Sequence, residues 1–374
     1  MVPIEQIIED FTVIIRKAMA DGGTTPAILA KPKRLLDIVK KGEARRLKNE
    51  KKYGVPVPRF CILSVTWECN LSCKGCYAKN YSSKKGGLSL ADIERVVREA
   101  ADLGAFIFVI AGGEPLMVEG LLPALASMKN AFFAVFTNAT LLTERHLEII
   151  AKAHNILPVV SLEGAEEITD LRRGEGVGEK ILSAMRAMSA ASVAFGFSVM
   201  ATRKNLHTIL SRQWLDDMWG RGCRFGFIID YIPFPVDLDP DAVLTPDDLS
   251  FKKGLIEKSV VEARPVLLNL PPDEYKDGKC QSAGRGLIHI NADGFVEPCP
   301  FCHFASDNVK DTPLVNALGS GFLRSLRDSF GPGRTPSGGC LLFENSAEVA
   351  AIAAKTGAFS TETVPGIPAC GPQA

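Results

Sequence analysis

From Arg59 to Pro233, short β-branched and aromatic runs alternate with stretches whose apolar residues recur every three or four positions. The runs Phe60–Val65, Phe106–Ala111, Phe132–Thr137, Leu157–Leu162, Phe195–Met200 and Phe225–Tyr231 predict six strands. Between them, Leu88–Leu103, Val118–Met128, Thr143–His154, Gly178–Ala190 and Leu206–Trp219 carry the helical period, with start signals at Ser89 and Thr143. Parallel strands need crossover connections, so strands separated by helices favour a parallel sheet.

The flanks differ from this core. Residues 3 to 19 predict a helix with Ile4, Ile7, Ile8, Phe11, Ile14, Ile15 and Ala18 on one face, ended by Gly22, Gly23 and Pro26. A second helix, beginning near Lys31, carries Lys33, Arg34, Lys40, Lys41, Arg45, Arg46, Lys48, Lys51 and Lys52 around a stripe of Leu35, Leu36, Ile38, Val39 and Leu47. One reading is a helical pair packed on the main domain with a solvated basic face. The other is peripheral contact with an anionic membrane surface, to which each Lys or Arg contributes roughly 1 kcal/mol. Past Pro233 the chain turns Pro- and Asp-rich, then predicts a helix over 246–262 and an Ala-rich helix over 346–357. The expected division is an N-terminal helical extension over 1–55, a core over 56–236 and a C-terminal extension over 237–374.

With 374 residues, 46% of them apolar, the chain can bury a full-sized core. Forty-three basic residues balance 43 acidic ones, so no global field steers it to nucleic acid. The chain shows neither a run of about eighteen uninterrupted apolar residues nor a signal peptide, and a cytoplasmic location is expected. Ten Cys in such a compartment stay reduced, so their clustering points to metal and to oxygen-sensitive chemistry.

The first predicted strand runs into Cys69, Cys73, Cys76 and Tyr77, with gaps of three and two residues between the thiols. Three thiolates are one short of a closed metal site, leaving one position open to a ligand. The plainer readings are a zinc loop completed from afar, or three unligated thiols. Gly112-Gly113-Glu114-Pro115 follows the second strand, either as punctuation or as a turn where paired Gly lets backbone approach a ligand closely. Thr137-Asn138-Ala139-Thr140 ends the third strand, and Ala139 argues against a left-handed backbone there. Asn138 either satisfies loop amides or contacts a ligand. After the fourth strand come Ser161, Glu163 and Gly164, then Asp170 and Arg173. All these motifs fall at strand C-termini, where barrel folds place their reactive groups.

This set resembles the radical S-adenosylmethionine (SAM) superfamily, whose signature is Cys-x3-Cys-x2-Cys followed by an aromatic residue. The resemblance implies a partial (β/α)6 TIM-like barrel and a [4Fe-4S] cluster on Cys69, Cys73 and Cys76, with SAM on the fourth iron. It further implies reductive SAM cleavage to a 5′-deoxyadenosyl radical that takes hydrogen from unactivated carbon. Gly112, Gly113 and Glu114 match the family's GGEP motif for the methionyl amino group. Asn138 lies in a match to Thr-Asn-Gly-Thr. Ser161 and Arg173, with Glu163 in place of the usual Asp, are similar to the carboxylate- or ribose-binding pair of the SPASM-type branch. Tyr77 completes the cofactor-binding set.

Cys280, Gly294 and Cys299, with Leu287–Ile290 and Phe295–Val296 flanking an Asp293-Gly294 turn, resemble the start of a SPASM or twitch domain. That resemblance implies one auxiliary [4Fe-4S] cluster on Cys280, Cys299, Cys302 and Cys340. Cys370 rivals Cys340, a zinc ion is the alternative occupant, and His303 reads as a bystander. The expected activity is hydrogen abstraction from an unidentified small-molecule, lipid or peptide substrate, with the auxiliary cluster assisting a net oxidation or cross-linking. An electron donor such as flavodoxin or ferredoxin is the implied partner. Peptide maturation, lipid or isoprenoid modification, and a non-catalytic iron–sulfur carrier or zinc scaffold are the alternatives. Cys61 and Cys223 read as buried apolar residues.

Overall fold

The computed structural model describes residues 26–81, 86–234, 238–262, 265–271, 278–336 and 339–362. The predicted helix over 3–19, Gly338 and Cys370 lie outside them.

The six expected strands are present as β1 (Phe60–Ser64), β2 (Ile107–Ala111), β3 (Phe132–Thr137), β4 (Ile156–Ser161), β5 (Phe195–Ala201) and β6 (Cys223–Asp230). Each neighbour pair is parallel. Two more parallel strands come from beyond residue 236. β7 (Val266–Leu270) adds to β6 and β8 (Leu287–Ile290) adds to β1, while β9 (Val296–Glu297) closes an antiparallel hairpin on β8. The order is β7-β6-β5-β4-β3-β2-β1-β8-β9, so the C-terminal hairpin continues the barrel wall.

The helices cover the outer face: α2 (Leu90–Leu103), α3 (Leu121–Ser127), α4 (Glu144–Lys152), α5 (Glu166–Arg173), α6 (Val177–Ala190), α7 (Leu206–Ile209), α8 (Arg212–Gly220) and α9 (Pro246–Glu262). Ser89 caps α2 through Asp92 N, and Thr143 forms a capping box with His146 on α4. The predicted helix over 206–219 is split at Ser211, whose side chain caps α8. Strand residues alternate between the two faces of the sheet. Phe195, Phe197, Val199 and Ala201 of β5 face the helices in one continuous core, leaving Gly196, Ser198 and Met200 for the lumen. Phe136 on β3 meets Phe227 on β6 with ring centroids 5.1 Å apart, although β4 and β5 intervene. A flat sheet would hold those rings about 14 Å apart at 4.7–4.9 Å per strand, so the wall curls into a partial TIM-like barrel.

The N-terminal helix α1 (Pro26–Tyr53) seals the barrel at the start of the strands. Leu35, Ile38 and Val39 pack on Phe106 and Phe132, and a Cβ on Gly42 would stand 2.6 Å from the Phe106 ring. Two expectations for this helix are corrected. Leu47, placed in the apolar stripe, is 55% exposed. Arg46, placed on the solvated basic face, is buried, because Glu43 takes its Nε and Nη2 at 2.8 Å together with Arg59 Nε at 3.0 Å. Burial raises the Glu43 carboxyl, but the guanidinium hydrogen bonds outweigh it and hold the pKa at about 2. Among the described residues, no helix is long and apolar enough to cross a membrane.

Beyond the hairpin come β10 (Phe304–Ala305), α10 (Leu314–Leu318), α11 (Gly321–Ser329), α12 (Leu341–Glu344), α13 (Ser346–Thr356) and β11 (Phe359–Ser360). β10 and β11 pair antiparallel, and α11 and α13 bury Phe322, Leu323, Leu326, Val349 and Ala353 in the main core.

Candidate functional site

The chain leaving β1 folds over the C-terminal end of the barrel and is tied down on three sides. Gly113 N donates to Thr66 O at 2.6 Å and Glu114 N to Glu68 O at 2.8 Å. A Cβ on Gly113 would stand 2.0 Å from Glu68 O, and one on Gly112 2.4 Å from Thr66 O. The paired glycines therefore admit the backbone that enters the cysteine loop. On the second side, Asn70 Nδ2 donates to Thr140 Oγ1 at 2.8 Å while Asn138 Nδ2 donates to Asn70 Oδ1 at 2.9 Å. On the third, Lys74 N donates to Arg172 O at 2.9 Å and Arg172 Nε returns to Lys74 O at 3.1 Å.

Glu114 is almost wholly buried. Its carboxylate accepts Leu116 N at 3.0 Å, Thr137 Oγ1 at 2.6 Å and Asn138 N at 2.8 Å. Burial pushes this carboxyl up, and those three donors oppose it. The side chain binds the turn to the end of β3. Asn138 Oδ1 accepts Thr140 N at 2.9 Å, the loop-amide role. Ala139 is left-handed, with φ +57°, against expectation. The Thr137 hydroxyl accepts Ala139 N at 2.9 Å and helps hold a conformation that costs an L-residue about 1–2 kcal/mol.

Cys69 is exposed, Cys73 and Cys76 are partly buried, and all are free thiols. Desolvation of the thiol pushes Cys69 up to about 11 even though the residue as a whole is exposed, and Glu114, Cys76 and Cys73 add to the rise. Burial also raises Cys73, against the pull of Arg173 and Arg172. Three thiols close enough to perturb one another, on a loop stitched to two strand ends and a helix, fit a cluster that replaces their protons with iron. Among the described residues, no three His, Cys, Asp or Glu side chains gather as ligands of a single metal ion.

Glu163 draws Arg172 and Arg173 onto one carboxylate: Arg173 reaches Oε1 through Nε at 2.9 Å and Nη2 at 2.5 Å, with Arg172 on the same oxygen. Met200 N donates to Oε2 at 3.3 Å. Ser161 Oγ lies 3.1 Å from Ser198 Oγ on the lumen face. A cleft of about 560 Å³ opens between the cysteine loop and α5, lined by Asn70, Leu71, Lys74, Arg172, Arg173 and Lys180 among others.

In the C-terminal extension Cys280, Cys299, Cys302 and Cys340 are all buried. Cys302 N donates to Cys299 O at 3.1 Å, forming the tight loop after β9. Cys340 packs with Phe234 and Phe343 beside Phe301 and Tyr77, so the extension meets the first cysteine loop at that tyrosine. Both ring nitrogens of His303 are engaged, with Glu362 and Pro300 O. Sequence reasoning passed over Ser64, His289 and Glu297, which are buried and hydrogen-bonded between these regions. Their signal was a polar residue in each of three strands, β1, β8 and β9.

Residues 63–210 match the Radical SAM superfamily model. A probable GTP 3′,8-cyclase of Methanothermobacter thermautotrophicus is 37% identical over 94 residues, 24% of this chain and 30% of that protein. The match thus spans less than a third of that relative's length. An AdoMet-dependent heme synthase of Nitratidesulfovibrio vulgaris is 27% identical over 70% of this chain and 78% of its own. SuiB of Streptococcus suis, solved with S-adenosylmethionine, superposes with a TM-score of 0.66 at 19% identity, covering 82% of this chain and 78% of SuiB.

Proposed function

We propose that this chain is a radical SAM enzyme of the SPASM/twitch-type branch, which abstracts hydrogen from an unactivated C–H of its substrate and completes a net oxidation or cross-linking. Radical SAM proteins use a [4Fe-4S] cluster and SAM, and SPASM relatives carry auxiliary clusters. When bound, the cluster and SAM together supply a 5′-deoxyadenosyl radical. The observation that carries the reading is the placement of Cys69, Cys73 and Cys76 on a single loop pinned by Gly113, Asn138 and Arg172.

In this reading Cys69, Cys73 and Cys76 hold the first cluster, and Cys280, Cys299, Cys302 and Cys340 the auxiliary one. Backbone of Gly112 and Gly113 orients the methionyl end. Ser161 and the Arg173 guanidinium, already aligned by Glu163, face the carboxylate or ribose. Opposite them the lumen wall is uncharged: Phe227 neighbours Leu268, and Met200 neighbours Ile229, in register across β5–β7. Leu268 is 38% exposed there. Such a wall holds an apolar reacting group and excludes water from it.

A peptide substrate is the second reading, favoured by the likeness to SuiB, which has also been solved bound to its precursor peptide SuiA. An apolar peptide side chain suits the same wall. The auxiliary assignment is tested by Cys299→Ala/Cys302→Ala after anaerobic reconstitution. Iron should fall by about half while SAM cleavage continues. Wild-type iron content in that variant would overturn the assignment.

A further inference from the structure

Between the first cysteine loop and the C-terminal hairpin runs an unbroken chain of polar side chains, buried beyond the half-buried Tyr77. The Tyr77 hydroxyl lies 3.1 Å from Ser64 Oγ, which lies 2.8 Å from His289 Nε2. His289 Nδ1 meets Glu297 Oε2 at 2.7 Å. Glu297 also accepts Tyr81 Oη at 3.0 Å, Asn291 Nδ2 at 2.7 Å and the Thr361 hydroxyl. Ser64, Tyr81, His289, Asn291 and Glu297 have no solvent exposure.

The order Ser, His, Glu is that of an acyl-transfer triad. Here the hydroxyl is sealed from any substrate and its second partner is Tyr77, so a nucleophilic role is excluded. A buried network of this kind is a poor source of stability compared with apolar packing, whereas full satisfaction fixes a single geometry. Its ends are telling. Tyr77 directly follows Cys76, and Glu297 stands two residues before Cys299.

We propose that Ser64, His289 and Glu297 form a brace that positions Tyr77, and through it Cys76, against the C-terminal cysteine loop. All three are positioning residues. The inference rests on Cys76 as a cluster ligand for its purpose, but not for its test. Cys69 is held by ties outside the brace: Glu114 N donates to Glu68 O at 2.8 Å, Asn138 Nδ2 to Asn70 Oδ1 at 2.9 Å and Trp67 Nε1 to Asp293 Oδ2 at 2.9 Å. Breaking the brace should therefore free Cys76 selectively.

The test is the iodoacetamide alkylation rate of each thiol in the full-length, reduced, metal-free chain, read by peptide mass spectrometry. Glu297→Ala and Ser64→Ala should each raise the Cys76 rate roughly tenfold and leave Cys69 near wild type, with Glu297→Gln intermediate. In the reconstituted chain the same variants should alter the EPR spectrum of the reduced cluster on Cys69, Cys73 and Cys76. An unchanged Cys76 rate in Ser64→Ala, a rise confined to Cys299 and Cys302, or an equal rise at every thiol would overturn the brace. Labelling requires neither cluster nor turnover, so its failure is distinct from failure of the SAM chemistry.

Discussion

The buried carboxylate of Glu114 accepts the backbone N–H of Asn138 at 2.8 Å, locking the turn after β2 to the end of β3. Thr137 and Leu116 complete its shell. Glu114→Ala leaves three donors without their acceptor, and a loss of about 2–4 kcal/mol in urea unfolding is expected. Glu114→Gln, which keeps one acceptor oxygen, should lose less. Equal stability of Glu114→Ala and wild type would contradict this assignment.

At Gly113 the constraint is steric. With Glu68 O only 2.0 Å from the position of a Cβ, Gly113→Ala must displace the backbone leading to Cys69. After anaerobic reconstitution this variant should hold markedly less iron than wild type. Gly220→Ala is the matched control, since Gly220, like Gly113, has no left-handed φ, and no atom lies within 4 Å of its Cβ position.

Glu43 sets an acid limit on the N-terminal helix. Its folded pKa of about 2 lies below the ordinary 4.5, so its contribution is complete above about pH 4.5 and is lost as pH falls toward 2. The shift corresponds to about 3 kcal/mol. Glu43→Gln should therefore be less stable than wild type by roughly 2–4 kcal/mol at pH 7 in urea titrations, the gap closing as pH falls through that window.

Iron analysis separates the two cysteine sets. Fully reconstituted wild type should hold about eight iron atoms per chain, as two four-iron clusters require. Cys69→Ala/Cys73→Ala/Cys76→Ala should hold about four, with the auxiliary signal intact. A triple variant that still binds the full complement would show that the loop is not a ligand set.

The six central strands were legible because parallel strands, buried on both faces, read as unbroken apolar runs. β7 was not: Val266–Leu270 carries Asn269 and follows a composition shift that signals a domain edge. Its place in the sheet is decided by register with β6, a long-range contact. The cysteine loop and the Gly-Gly-Glu-Pro turn were legible as motifs, but the work of Gly113 was not, since its neighbour Glu68 lies far off in sequence. Ala139 was misjudged because the Thr137 hydroxyl and the surrounding packing override the local penalty of its left-handed backbone. His289 and Glu297 escaped notice because only the hairpin register sets them opposite one another.

The central claim is that Cys69, Cys73 and Cys76 support reductive cleavage of SAM. It is tested most directly by incubating the anaerobically reconstituted chain with dithionite and SAM and measuring 5′-deoxyadenosine by liquid chromatography. Wild type should form the nucleoside, and Cys76→Ala should form none above background. No nucleoside from an iron-replete wild-type chain, or undiminished formation by Cys76→Ala, would contradict the account.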